Sequence, residues 1–370
     1  MPSVKPRATP ATRIVPSYVR NSIMARESGG DAGEPSRTLT VLQGERWPDP
    51  AANPYIPLLY AALGNVDIQV EPFSWKSALF ARYEILHVHW PEYLVRKRTA
   101  LRTLVGRGLL ALLLVRLRLC GIPMVWTVHN PAPHEALPQS GRRWMQALKS
   151  AVKLEIHLTE STMVDSRGNA ALIPHGHYRD WYQGDYGPAS RGSLLFFGQL
   201  RAYKRIEDLI DGFLESDLPA RLRIVGSGDT SFVDQLRRRT RNDRRIDIVH
   251  QRLTDSALAD EIAAAEVVVL PYPITNSGSI LLALSLGRPV VTLRTASTLS
   301  LSREVGPGWI GFVDDMTSRE SLQTSIEAVM AAERIRPPDL SARDWPRIAD
   351  AHRAAYERAL KKDVTSCRLR

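Results

Sequence analysis

The chain has 370 residues, 44% hydrophobic and 24% charged, an ordinary globular composition but a length suited to two cores, not one. Its two cysteines, Cys120 and Cys367, lie far apart without metal-type spacing, which argues against a disulfide framework and fits a reducing compartment. The formal net charge of +10 favours anionic partners: nucleic acid, an acidic leaflet or phosphorylated substrates. No apolar run reaches the roughly 18 residues of a spanning helix, and no signal peptide is visible, so a cytoplasmic chain able to sit at the inner face of the cell membrane is expected.

Residues 1–36 are rich in Pro, Ser, Gly and Arg without periodicity and read as a disordered tail, with Met24 inside it as an alternative start. Residues 37–42 predict a first strand ended by Gly44, and Asn53 with Pro54 opens an apolar helix over 53–63. A short strand at 66–70 precedes another in the stretch 83–92, which Pro91 stops. A long Arg/Leu helix over 99–119, a strand at 123–129, and short strands at 154–158 and 171–174 complete the first half. Strands alternating with helices predict a parallel, doubly wound α/β sheet over 37–183.

The glycine, proline and serine of 184–192 read as a linker. Beyond it the alternation restarts, with strands at 194–197, 221–225, 245–249, 266–270, 289–293 and 311–313, giving a second doubly wound sheet over 193–344. The last helix, 345–360 within a segment ending near 362, carries Ala349, Ala351, Ala354 and Tyr356 toward one side and is expected to return to the first half.

Two stretches of the second half are built to hold an anion. After the strand 194–197, Gly198 opens a polar turn with Arg201, Lys204 and Arg205, and a helix follows whose positive N-terminus suits a diphosphate. After the strand 266–270, Asn276, Ser277, Gly278 and Ser279 cap an apolar helix closed by Gly287. Both lie at strand carboxyl ends, where open α/β sheets bind ligands. Together they predict a nucleoside diphosphate held between Arg201/Lys204 and Ser277/Gly278/Ser279.

Phe197-Gly-Gln-Leu-Arg-x-x-Lys204, the Ser277-Gly-Ser279 helix start and Gly287-Arg-Pro-Val-Val291 resemble the donor-binding domain of GT-B glycosyltransferases of the large family 4. The resemblance extends over about 37–360. His87-Val-His-Trp-Pro-Glu92, Thr127-Val-His-Asn-Pro-Ala-Pro-His-Glu135 and Ile173-Pro-His-Gly-His-Tyr178 are similar to bacterial exopolysaccharide enzymes, including xanthan-type glycolipid β-mannosyltransferases that use GDP-mannose. It implies a GT-B fold, two Rossmann-like domains facing a central cleft. It also implies that His129 sits by the transferred sugar and that the 249–253 loop, with Gln251, approaches the base.

Two departures stand out. Family 4 enzymes usually carry a glutamate where this chain has Leu282, so the usual retaining mechanism is in doubt. An arginine is common where Gln199 stands, which shifts the cationic role onto Arg201 and Lys204. In the first half, Glu92, His134 and Glu135 are alternative general bases for an inverting reaction, beside His129. Gly44, Asn53, His89, His134, His175 and His177 are expected on the acceptor side of the cleft, with Gly176 marking a tight backbone approach. His87, His89 and Glu92 lack the further spacing of a metal site. Val225-Gly-Ser-Gly-Asp229 reads as a turn, and the arginines 237–245 as a solvated face.

The expected function is transfer of a hexose, such as mannose from GDP-mannose, to a lipid-linked or oligosaccharide acceptor in surface polysaccharide or glycolipid synthesis. No cofactor is expected, and with no Asp-x-Asp in the chain the transfer is expected to be metal-independent. A nucleotide-sugar epimerase of the same fold and a non-catalytic nucleotide-sugar binder remain as rivals. A nucleic-acid binder is disfavoured because the arginines lack interleaved aromatics. The basic helix with Arg96, Lys97, Arg98, Arg102, Arg107, Arg116 and Arg118 and a Leu-rich face predicts an anionic membrane surface as a further partner.

Overall fold

The computed structural model describes residues 37–45, 53–95, 99–129, 139–163, 169–184, 186–274 and 278–361. They form two six-stranded, wholly parallel sheets. The first holds β1 (Leu39–Gln43), β2 (Ile68–Glu71), β3 (Ile85–Val88), β4 (Met124–Val128), β5 (Val152–His157) and β6 (Ala170–Leu172) in the order β2-β1-β3-β4-β5-β6. The second holds β7 (Ser193–Phe197), β8 (Arg221–Gly226), β9 (Ile246–His250), β10 (Val267–Leu270), β11 (Val290–Leu293) and β12 (Ile310–Val313) in the order β12-β11-β10-β7-β8-β9. The two doubly wound α/β sheets expected from the alternation are observed, in the two-domain arrangement that the resemblance implied. Strands β3, β4, β10 and β11 are buried at every residue, as their predominantly apolar character requires when helices cover both sheet faces, with His87, Thr127 and Thr292 as the polar exceptions.

Strand order reverses once in each sheet, between β1 and β3 in the first and between β7 and β10 in the second. At such a point neighbouring crossovers run to opposite faces and leave a crevice beyond the strand ends. The loops after β1 and β3 therefore flank one crevice, and those after β7 and β10 flank the other.

The helix Trp345–Leu360 lies on the first sheet. The Tyr356 hydroxyl hydrogen-bonds His87 Nδ1 at 2.7 Å, and Arg353 and Arg358 donate to the carbonyls of Val66 and Ala170. Its buried face matches the expected one in part, with Ala349 and Tyr356 buried. Ile348, Ala349, His352, Ala355, Tyr356 and Ala359 are buried while Ala354 is exposed, because alanine spacing does not orient a helix that a histidine and a tyrosine anchor.

The glycines at and just after the end of β8 do more than turn the chain. Leu200 N donates to Ser227 O at 2.8 Å and Gln251 N to Gly226 O at 2.8 Å, so the loops after β7, β8 and β9 are stitched together. A side chain at Gly226 would overlap the Gly198 carbonyl oxygen, and one at Gly228 would overlap that of Leu200. Gly226→Ala must push the loop after β7 outward. Overpacking of this kind costs about 1–3 kcal/mol, and a melting temperature lower by roughly 3–10 °C is expected by calorimetry. A wild-type melting temperature would show that the loop is not held there.

Candidate active site

The crevice at the switch point of the second sheet is built around Lys204. A short 3-10 turn, Ala202–Lys204, follows the loop after β7, and the Lys204 ammonium lies 3.4 Å from the ring centroid of Tyr272. Tyr272 is buried just beyond β10, so one cation–π contact spans the switch point and fixes a positive charge between the two loops. Arg201 is exposed and its side chain makes no hydrogen bond or ion pair among the described residues, so its charge is available. Arg205 is not. Its backbone is left-handed (φ 52°) and its Nε donates to Asp208 at 2.6 Å.

The helix Ile206–Glu215 also departs from expectation. Glu207 and Asp208 occupy its first turn and already compensate its dipole, so it offers less to an anion than the bare pattern implied. Gly198, with φ at 125°, turns the chain out of β7, and exposed Gln251 stands at the end of β9. Gly278 and Ser279 begin the helix Gly278–Ser285, as expected of the second element. Asn276 and Ser277 lie outside the described residues, as do His134 and Glu135. Leu282, where the family's glutamate is usual, is buried in the core.

Across the cleft stands a cluster of rings. His129, at the end of β4, stacks on Trp90 with centroids 4.5 Å apart and meets Tyr55 edge-on at 5.3 Å. His129 Nε2 and His89 Nδ1 are hydrogen-bonded at 3.2 Å. His87, behind them, is held by Tyr356 and by Thr127 at 2.8 Å. Burial, reinforced by repulsion from His175, drives the His129 pKa down to about 3. Burial likewise drives His175 to about 4 and holds His87 and His89 well below the ordinary histidine range. At neutral pH these imidazoles are uncharged hydrogen-bonding groups. An imidazole that protonates only near 3 is a weak base, so His129 fits a sugar-contacting role better than proton removal.

Sequence pattern does not mark Glu45. This residue follows Gly44 at the end of β1, where a Cβ on Gly44 would come within 2.7 Å of the Val88 side chain. Glu45 Oε1 accepts from the backbone N–H of His89 at 3.1 Å and of Trp90 at 3.3 Å, pinning the loop after β1 to the loop after β3. Burial outweighs those two N–H donors and lifts its pKa to about 7, with Glu92 adding repulsion. Glu92 itself opens the short helix Glu92–Val95 nearby, partly buried. Only its place at the carboxyl end of the first strand singles out Glu45 in the sequence. Tyr272 escapes a sequence reading for the same reason.

His175, His177 and Asn53 serve the joint between the halves. His177 Nε2 is 2.9 Å from Asp344 and its Nδ1 accepts from Arg179 N, so both nitrogens are occupied. His175 Nδ1 bonds Gly176 O at 2.7 Å, and its ring packs on Tyr55 at 4.4 Å. The tight approach at Gly176 is to the Trp345 ring, 2.5 Å from where a Cβ would stand. Asn53 Oδ1 accepts from Tyr55 N at 3.0 Å and from the Tyr178 hydroxyl at 2.8 Å. That hydroxyl lies 2.7 Å from a Cβ built on Gly278. The close approach that Gly278 permits is thus to Tyr178, at the meeting of the two halves.

Comparison with known proteins agrees with this geometry. Residues 191–329, from just before β7 into the helix Arg319–Ala331, match the family model for Glycosyl transferases group 1. Two GDP-mannose:glycolipid 4-beta-D-mannosyltransferases from Xanthomonas campestris pv. campestris are each 39% identical over 329 residues, covering 88% of this chain and 94% of theirs. Among solved structures, Anabaena HepE in complex with UDP and glucose superposes with a TM-score of 0.54 at 13% identity over 86% of this chain and 98% of its own. A glycosyltransferase from Rickettsia africae superposes with a TM-score of 0.58 at 10% identity, over 89% and 100%. At such low identity those two establish the fold alone. The identity to the Xanthomonas enzymes, sustained through both halves, establishes more: the chain belongs to their family and is a glycosyltransferase.

Proposed function

We propose that this glycosyltransferase moves mannose from GDP-mannose to a hydroxyl of a lipid-linked acceptor, with inversion at the anomeric carbon, on an anionic membrane surface. The observation that carries the proposal is the Lys204–Tyr272 contact across the second switch point, which sets a cation where a leaving diphosphate develops charge. Arg201 adds a second cation and the start of the helix Gly278–Ser285 adds backbone N–H groups. Leaving-group charge is thereby met by side chains and amides, and no step calls for a metal. Inversion follows from the relatives' names, since the mannose of GDP-mannose is α-linked and their product linkage is β. It also agrees with apolar Leu282 on the donor side. An epimerase finds no support among these relatives. A nucleic-acid binder is further disfavoured because Arg223, Arg239 and Arg245 are tied to Glu261, Asp211 and Asp243.

The helix Ala100–Cys120 supplies the membrane face. Leu110, Leu113 and Leu117 are buried, while Leu101, Leu104, Val105, Leu112, Val115 and Leu119 are exposed on the opposite side. At 100° per residue those six share one stripe, which a helix of this length extends over about 30 Å. Exposed Arg102 and Arg118 flank it, the arrangement of a helix lying in a lipid interface. Arg116 does not contribute as expected. It donates to the carbonyls of Ala78 and Ala81 and lies over the Tyr83 ring, which anchors the helix to the protein. Arg96, Lys97 and Arg98 lie outside the described residues. Among the described residues no helix is long and apolar enough to cross a membrane.

Calorimetry against GDP-mannose, UDP-glucose and ADP-glucose is expected to show selective binding of the first. Lys204→Ala, with an unchanged melting temperature, is expected to lower turnover about a hundredfold, since a charge-assisted hydrogen bond to the departing diphosphate is stronger in the transition state than in the ground state. Turnover near wild type in that variant would remove the diphosphate from this loop. The protein is expected to co-sediment with anionic vesicles at low salt and to be released at high salt. Leu112→Asp is expected to abolish that binding. Equal binding by the variant would show that the stripe does not meet lipid.

A further inference from the structure

We propose that Glu45 is the catalytic base, the group that takes the proton from the attacking acceptor hydroxyl. This rests on the inverting transfer proposed above. Glu45 stands at the first sheet's switch point, where ligands of open α/β sheets bind, and its position there is fixed. Oε1 is committed to the N–H groups of His89 and Trp90, at 3.1 and 3.3 Å. Among the described residues Oε2 is shielded from solvent and has no hydrogen-bond partner, and the same holds for the neighbouring His89 Nε2 and Tyr55 hydroxyl. Buried polar atoms are rarely left unpaired, and three together at a strand-end crevice point to a polar ligand. A sugar hydroxyl, both donor and acceptor, is such a ligand.

The groups around Glu45 agree with the role. Glu92 repels its negative form, and Tyr55, Tyr60 and Tyr356 interact with it from the helices Tyr55–Gly64 and Trp345–Leu360. His89 and His129 are neutral, so neither of these imidazoles holds Glu45 ionised, and among the described residues no cation pairs with it. A carboxylate whose pKa is lifted to about 7 has basicity matched to neutral pH, which the neighbouring imidazoles lack. In the step itself the acceptor oxygen bonds the anomeric carbon while the bond from that carbon to the diphosphate oxygen breaks. The bonding pair leaves with the nucleoside diphosphate, and the hydroxyl proton passes to Glu45 Oε2. Loss of that proton to solvent resets the enzyme.

Glu45→Gln keeps an oxygen for the two N–H groups and removes the base. It is expected to lower kcat by about 10²–10⁴-fold while GDP affinity stays within about threefold of wild type. Wild-type kcat/KM is expected to rise with pH through about 7, and the variant to lose that limb. A folded-state pKa lifted from 4.5 means that the native state holds this proton more tightly than the unfolded chain. Stability from this group is therefore present at low pH and lost as pH rises through about 7. Glu45→Gln should accordingly melt higher than wild type at pH ~8 and no higher at pH ~4, an inverse relation of stability and activity that a structural glutamate would not give. Glu45→Asp should retain partial activity with the limb, and it serves if the glutamine variant does not fold. Active wild type with no acid limb, or a glutamine variant with more than about a third of wild-type kcat, would overturn the assignment. Wild type that neither binds GDP-mannose nor transfers from it would instead overturn the transfer reaction itself, and the role of Glu45 with it.

Discussion

The site depends on one contact, the seating of Tyr178 between the two halves. Its hydroxyl donates to Asn53 of the first half, its backbone N–H donates to Ser285 Oγ of the second at 2.9 Å, and its ring is buried. Gly278 leaves it room, since a Cβ there would stand 2.7 Å from the hydroxyl. Around this point Arg343 binds Glu304 through two hydrogen bonds, at 2.7 and 2.8 Å, and donates to His175 O at 3.1 Å. Trp345 donates to His177 O at 2.9 Å. A continuous buried core includes Ile173 and Tyr178 together with residues of both sheets. Because each sheet carries its chemistry only at its own strand ends, this joint decides which groups meet across the cleft.

The two sides are electrically different. At the switch point of the second sheet Arg201 is exposed and the charge of Lys204 is held on an aromatic face. At the switch point of the first sheet His89 and His129 are buried and neutral, and the carboxylate of Glu45 is itself disfavoured in its charged form by burial. Glycosyl transfer needs that division. Negative charge builds on the departing diphosphate, so cations belong beside it, whereas the attacking hydroxyl needs a base that a neighbouring cation has not weakened. A low-polarity surrounding strengthens both effects.

Much of the fold is legible in the sequence, because buried parallel strands are runs of Val, Ile, Leu and Phe. The runs 194–197 and 266–270 appear as β7 and β10, and their order places the basic loop beside the helix Gly278–Ser285. His87, His89 and His129 are visible as unusual polar residues within such runs. Glu45 and Tyr272 are not, because each is a single residue just past a strand, and only the tertiary structure shows what it touches. Gly226 and Gly228 look like turn residues because the carbonyls they accommodate belong to Gly198 and Leu200, many residues away. The final helix is where the pattern places it, with Ala349 and Tyr356 buried, but the pattern misses His352, which faces the core despite its polarity.

The central claim is that a nucleoside diphosphate sugar bound beside Lys204 is attacked directly by an acceptor hydroxyl from the opposite face of the sugar. The most direct measurement is the anomeric configuration of the first product formed from GDP-mannose and a lipid-linked acceptor, read by NMR from the one-bond carbon–proton coupling at the new linkage. A β-mannoside is predicted, because a single displacement inverts the α-linked donor. An α-mannoside would contradict the account, since it requires retention and leaves no direct attack for a base on the first sheet to assist.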